Sequence, residues 1–423
     1  GKSRSARWLP TWNVSGAWNA HEEKFFSNLT SVLSHFTLKA SYSLTADRGP
    51  ADVTNSQAII TSYSPYRPFT SIQESGLYIK ELENSELTYE KKHELNIGAD
   101  MGFLNNRINL AVDWYKRNNY DLIGIVNTQG AGGQILKYAN IASMKSHGIE
   151  FTLSTKNIKT KDFNWNTDFI FSNAKNEVTD LKQNANVMEL ISGNGFAKQG
   201  YPVRGLFSIP FVGLDKDGIP VIINEKGEAT STDINFQERQ NTGFLKYEGP
   251  TDPTITGSLG NMFSYKGFRL NLFITYSFGN VIRLNPVFKA YYSDLTAMTR
   301  EFKNRWTLPG DETKTNVPAI LSKRMYDSNE DLKCAYNAYN YSTERIAKGD
   351  FIRLKEISLA YDFPKAWINP LKLTDLSLKV QATNLFLIYA DDKLNGQDPE
   401  FFNAGGVASP VPRQFTITLR LGL

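Results

Sequence analysis

Apolar and polar side chains take turns along the last stretch of this chain. Phe415, Ile417, Leu419 and Leu421 are separated by Thr416, Thr418 and Arg420, a strict period of two that predicts a strand with one greasy face and one wet face. About nine to eleven such residues, tilted, are enough to cross the hydrocarbon core of a bilayer. The same alternation predicts strands over 8–20 (Trp12, Val14, Trp18 on the apolar side), 36–45 (Phe36, Leu38, Tyr42), 94–103 (Leu95, Ile97, Met101) and 108–115 (Leu110, Val112, Trp114). It recurs near 141–155, at 163–171, and as a hairpin in which Leu259 and Phe263 run into Leu270, Leu272 and Ile274. Two more strands follow at 352–361 and 376–388, and in the first of them the phase slips by one residue at Lys355-Glu356, which predicts a bulge. With the closing strand the pattern predicts about eleven in all.

What separates the strands decides where their apolar faces point. Leu104-Asn105-Asn106 and Lys266-Gly267 are tight turns, and 21–35, 156–160 and 362–375 are also short. Between them fall the long connections 47–88, 127–140, 174–252, 280–350 and 389–412. In an up-and-down sheet alternate connections emerge on the same side, so one rim receives the turns and the other receives the loops. Outer-membrane barrels have that asymmetry, and a Greek-key sandwich has no reason for it. The fold class is therefore all-β, a transmembrane antiparallel up-and-down β-barrel. An odd strand number cannot close such a barrel, and lipid cannot satisfy the open edges of a partial one. The chain is expected to be part of a larger barrel, with its first strand paired to a segment outside this sequence.

Composition changes this picture little. With 41% hydrophobic and 13% aromatic residues the chain could equally fill a soluble core, but no apolar run approaches the 18 or so residues of a membrane helix, so a helical membrane protein is excluded. Lys and Arg total 47 against 43 Asp and Glu, for a net charge of +4, with no long basic block to suggest nucleic-acid binding. Cys334 is the single cysteine, which excludes an internal disulfide framework and a cysteine-based zinc cluster.

Candidate chemistry is sparse. Tyr291, Tyr292, Trp306, Tyr336, Tyr339 and Tyr341 cluster in the 280–350 connection, where their rings would suit sugars or a partner's surface, although packing of the loop itself is the simpler reading. Asp215-x-Asp217-Gly218 could open a calcium loop, but no later glutamate completes it, and a hairpin turn explains it better. His147, Glu150 and Asp168 straddle a predicted turn, yet no serine or cysteine nucleophile has recognisable context, so no enzyme, catalytic residue, cofactor or metal site is expected. Trp8, Trp12, Trp18, Phe36, Phe103, Phe163, Phe263, Phe268 and Phe278 lie at strand ends, as interfacial girdles require.

Taken in order, the short motifs resemble a known family. Leu87-Thr88-Tyr89-Glu90 leads into Asn96-Ile97-Gly98 and Asp100, followed by Asn106-Arg107, Asp113-Trp114-Tyr115-Lys116-Arg117 and Asp121-Leu122. Then come Gly200-Tyr201-Pro202-Val203, Asp252-Pro253, Tyr265-Lys266-Gly267-Phe268, Arg305-Trp306-Thr307 and Pro309-Gly310-Asp311. Phe351-Ile352-Arg353-Leu354-Lys355, Asn384-Leu385-Phe386, Asp398-Pro399-Glu400 and Pro410-Val411-Pro412-Arg413 complete the series. Together, over nearly the whole chain, they resemble the C-terminal half of SusC/RagA-type TonB-dependent transporters of Bacteroidetes outer membranes. The resemblance implies that residues 1–423 supply roughly the second half of a barrel of about 22 strands, with the plug domain and TonB box lying upstream. It implies TonB-powered import of oligosaccharides or peptides beneath a SusD-like surface lipoprotein, long loops extracellular, short turns and C-terminus periplasmic. Leu423 departs from the aromatic residue with which the family usually ends. A SusC-like barrel serving as a structural scaffold without transport, and a soluble β-rich glycan-binding protein, are the alternatives.

Overall fold

The computed structural model describes residues 8–49, 57–66, 74–130, 135–232, 234–289, 298–401 and 412–422. Eleven strands form one sheet: β1 (Trp12–Asn19), β2 (Leu33–Asp47), β3 (Glu90–Phe103), β4 (Ile108–Asn127), β5 (Leu136–Lys159), β6 (Phe163–Leu181), β7 (Ile255–Tyr265), β8 (Phe268–Phe278), β9 (Phe351–Asp362), β10 (Asp375–Ala390) and β11 (Gln414–Gly422). They lie in chain order and each neighbouring pair is antiparallel. The sheet is open, with β1 and β11 at its edges. Among the described residues no helix is long and apolar enough to cross a membrane, so any crossing falls to these strands.

Register turns the alternation of single strands into continuous bands. Trp18, Leu38, Ala99, Val112, Phe151, Phe171, Gly257, Tyr276, Ile352 and Tyr389 follow one another as direct partners across the sheet. One position along, the partners are Lys39, Gly98, Asp113, Glu150, Ser172, Thr256 and Ser277. The apolar band faces outward. Ile97 and Leu359, on interior strands with neighbours on both sides, each stand 47% exposed. In lipid such a surface is satisfied, whereas in water a belt of this extent marks an interaction surface. On this band Tyr276 lies across Gly257, where a Cβ would meet the ring, and its hydroxyl donates to Ile170 O at 2.9 Å.

The rims differ as the connection lengths predict. Leu104, Asn105 and Asn106 all take positive φ in the β3–β4 turn. Lys266 and Gly267, at φ 44° and 90°, form the two-residue turn whose twist matches the flanking strands. The expected bulge falls at Lys355, which is skipped when Glu356 pairs with Phe273 and Leu354 with Ile274. Aromatic rings edge the turn rim, Phe268 against Tyr361 at 4.4 Å, Tyr361 against Phe363 at 4.9 Å and Phe363 against Trp367 at 6.3 Å. Near the opposite rim Trp12 packs on Tyr42 at 5.4 Å.

Three strands overrun their predicted ends. β4, β5 and β6 contain 20, 24 and 19 residues, beyond what a bilayer requires. Past Trp114 and Ile149 their outward positions are Lys116, Asn118, His147 and Lys145. Farther along, apolar residues such as Leu122, Ile123, Ile125 and Val126 no longer take turns with polar ones, while backbone pairing continues. The 48–89 connection also holds an unpredicted hairpin, Ile59–Tyr63 with Gly76–Glu81.

The connections 182–254 and 279–350 fold together into one lobe. Val187, Leu190, Ile191, Phe207, Ile209, Ile222 and Leu245 from the first pack with Ala338 from the second. A parallel bridge joins Ile209 to Ser342. The helix Glu330–Asn340 begins at Asn329, whose side chain accepts from the amides of Asp331 and Leu332, satisfying two donors that a helix start leaves open. It buries Leu332, Ala335, Tyr336 and Tyr339 along one face.

Candidate functional site

The inward face of the sheet is a wall of charged and polar side chains, several of them paired. Lys39 reaches Asp100 at 2.8 Å, Lys92 and Arg117 share Glu94 at 2.8 and 3.1 Å, and Ser154 donates to Asp168 at 2.6 Å. Partly solvated pairs of this kind add little stability, but together with the inward Asp113 and Glu150 they keep the face hydrated. Tyr115 lies across Gly148, where any side chain would collide with the phenol. Arg353 of β9 is buried and pairs with Asp398 and Glu400, which fastens the β10–β11 connection to this wall.

Above the wall sits the lobe, held by Arg283. Its guanidinium donates to Ser342 O at 2.8 Å, Phe207 O at 2.6 Å, Ser208 Oγ at 3.1 Å and Ile191 O at 3.3 Å. Burial lowers its pKa to about 9, so it remains a cation at neutral pH and offers its donors to acceptors on both connections. Tyr336 and Tyr339 are each only 1% exposed. Tyr336 packs on Phe288 at 4.9 Å and Tyr339 meets Phe211 edge-on at 5.5 Å. Burial drives the Tyr339 hydroxyl well above the usual phenol range.

The six aromatic candidates therefore separate. Tyr336 and Tyr339 are packing elements of the lobe, with no surface to offer a ligand. Tyr341 is partly buried against the same core, with the Arg283 guanidinium 5.9 Å from its ring. Trp306 is half-buried, covers Gly218 so closely that a Cβ there would touch the indole, and donates from Nε1 to Glu312 Oε2 at 3.0 Å. That bond, with amide donors from Glu312 itself and Gly310, holds the Glu312 carboxyl below its ordinary range. Tyr291 and Tyr292 lie outside the described residues. Helical spacing was the signal passed over here: Leu332, Ala335, Tyr336 and Tyr339 recur on one helix face, the mark of burial rather than display.

Two other clusters resolve plainly. His147 is on the outward face, in register with Lys116, while Glu150 is inward beside Asp113, so His147 and Glu150 cannot act together. Asp215 Oδ1 accepts from the amides of Asp217 and Ile219 at 2.9 Å each, which makes the segment a hairpin turn. Among the described residues no cluster of three or more metal-ligating side chains occurs. A small, open polar cleft that no sequence motif marks lies between the 279–350 and 391–413 connections. Arg300, Glu301, Arg345, Lys393 and Asn395 line it. Asn395 Nδ2 donates to Glu301 Oε1 at 2.8 Å and Arg345 pairs with Glu301, so its chemistry suits hydrogen-bonding or anionic groups.

No family model matches the chain. Among curated proteins it is 25% identical to TonB-dependent receptor P3 of Formosa agariphila, across 91% of this chain and 37% of that receptor. It is 26% identical to TonB-dependent receptor SusC of Bacteroides thetaiotaomicron, across 100% of this chain and 40% of SusC. Its fold matches the RagAB peptide transporter with a TM-score of 0.77, at 23% identity, covering 99% of this chain and 44% of that one. The chain thus spans about two fifths of the length of the curated relatives it matches. Taken with the eleven-stranded antiparallel sheet, these likenesses make the chain a homologue of the SusC-type TonB-dependent receptors, built as a segment of their outer-membrane β-barrel.

Proposed function

We propose that residues 1–423 form the C-terminal portion of the barrel of a TonB-dependent outer-membrane importer, taking up oligosaccharides or peptides with a SusD-like lipoprotein as lid. In this reading the long-loop rim is extracellular and the turns are periplasmic. The observation that carries it is the pairing of an outward apolar band with an inward charged and polar face, topped on one rim by a folded lobe. A conduit for large polar solutes needs such a wall: hydrated, and closed at the backbone. The lobe supplies the solute-facing and partner-facing surface. Trp306 and Tyr341, partly exposed, are its aromatic contacts, and the cleft beside Arg345 is its polar one.

The test uses the full-length protein in its native outer membrane. Deleting its gene should abolish uptake of a labelled oligosaccharide or peptide pool, and deleting TonB should do the same, while affinity purification should recover a surface lipoprotein. Recovery of the lipoprotein with uptake unchanged in both deletions would instead establish the scaffold role.

A further inference from the structure

One outward row of basic side chains lacks the partners that cations elsewhere on the sheet have. Inward, Lys39, Lys92 and Arg117 each have a carboxylate within 3.1 Å. Outward, Lys116 of β4 pairs in register with His147 of β5, and His147 with Lys175 of β6. All three are exposed, and none has a hydrogen bond or ion pair among the described residues. Neighbouring strands lie about 5 Å apart, so the two lysines stand roughly 10 Å apart with the imidazole between them. Among the described residues no carboxylate offsets this row. The nearest outward acid above it, Glu177, is engaged by Lys145 at 3.0 Å.

The location of the row says what could offset it. The next outward partners toward the turn rim are Trp114, Ile149 and Asn173, with Trp114 and Ile149 exposed at 37% and 39%. Below them Val112, Phe151 and Phe171 continue the apolar band. The cations therefore sit at the edge of the hydrocarbon zone on the long-loop side, at headgroup depth. A ligand that reaches them from the membrane carries negative charge at one end and apolar chains at the other.

We propose that Lys116, His147 and Lys175 form a seat for the phosphate of an outer-leaflet glycolipid of the lipid A type, whose acyl chains lie along Trp114, Ile149 and Phe151. This rests on the reading that the long-loop rim is extracellular. Each surface lysine is worth roughly fivefold in affinity for an anionic lipid, so Lys116 and Lys175 supply about twenty-five-fold, and the imidazole between them adds a hydrogen-bonding group.

The experiment compares the full-length protein in detergent with a variant carrying Lys116→Gln, His147→Gln and Lys175→Gln, and with a control carrying Lys156→Gln, Lys159→Gln and Lys161→Gln at the turn rim. Native mass spectrometry with bisphosphorylated lipid A should show binding by the unsubstituted protein and the control, and about twenty-five-fold weaker binding by the first variant. Undiminished binding by that variant overturns the proposal. So does displacement of lipid A by equimolar inorganic phosphate, which would mark a site for a free ion. Orientation is read separately, from labelling of Lys216→Cys by an impermeant maleimide on intact cells in a Cys334→Ser background. Labelling together with undiminished binding refutes the lipid seat alone, whereas no labelling refutes the extracellular reading and the outer-leaflet assignment with it.

Discussion

On the sheet Phe415 and Ile417 stand 75% and 74% exposed, while in the lobe Ile191, Leu206, Ile209 and Ile222 are fully enclosed. One sequence thus follows two opposite rules for apolar side chains. The sheet presents them outward and keeps Lys39, Asp100 and Glu150 within, because its outer solvent is hydrocarbon. The lobe collects them inward around Ala338, because it stands in water. Strand pairing is common to both, since unpaired backbone groups are costly in either medium. The surrounding solvent, more than the secondary structure, decides which face is greasy.

The contrast can be broken most severely at Arg283. Arg283→Met leaves the carbonyls of Ser342, Phe207 and Ile191 without this donor and should cost the lobe about 3–5 kcal/mol. Amide exchange at Ile209 and Thr343, which bond across the two connections, should accelerate while exchange in β7 and β8 does not. Uniform acceleration would show that lobe and sheet unfold as one unit. Next comes Leu419→Arg, expected to cost about 2–4 kcal/mol if position 419 lies near the bilayer midplane, measured by denaturant titration in phospholipid vesicles. In water an outward arginine on an edge strand would be almost neutral, so an unchanged midpoint would remove lipid from that face. Gly148→Ala drives a methyl against the Tyr115 ring and the Asn173 carbonyl and should cost about 1–3 kcal/mol by overpacking, seen as a lowered unfolding temperature. Lys323→Ala, which removes an exposed pair with Asp327 at 2.7 Å, should change lobe stability by less than about 0.5 kcal/mol.

The same division explains what the sequence could disclose. Strands touching lipid on one face and water on the other carry a signal in every second residue, so all eleven were legible, together with the slip at Lys355 and the turns at Asn105 and Lys266. That signal stops where the solvent becomes the same on both sides, which is why β4 to β6 were read too short. The lobe is built from contacts between residues far apart in the chain, such as Ile209 with Ser342 and Arg283 with Ile191. No local pattern announces those. Its helix was legible in principle, with Asn329 as cap and Tyr336 and Tyr339 on one face; packing of the connection was the simpler reading of those tyrosines, but the helix that orders the packing was not among the predicted elements.

The bridge between Ile209 and Ser342 has a mechanical consequence. It connects the segment entering β7 to the segment leaving β8, across the open end of the β7–β8 hairpin, and Asn280 fastens the base by donating to Thr251 O at 3.4 Å and accepting from the Gly349 amide at 2.9 Å. Hairpin and lobe together make a closed loop of structure. A pull on either connection is transmitted to the other, so the lobe is a single stiff buttress where the covalent order of the chain would suggest two independent flaps.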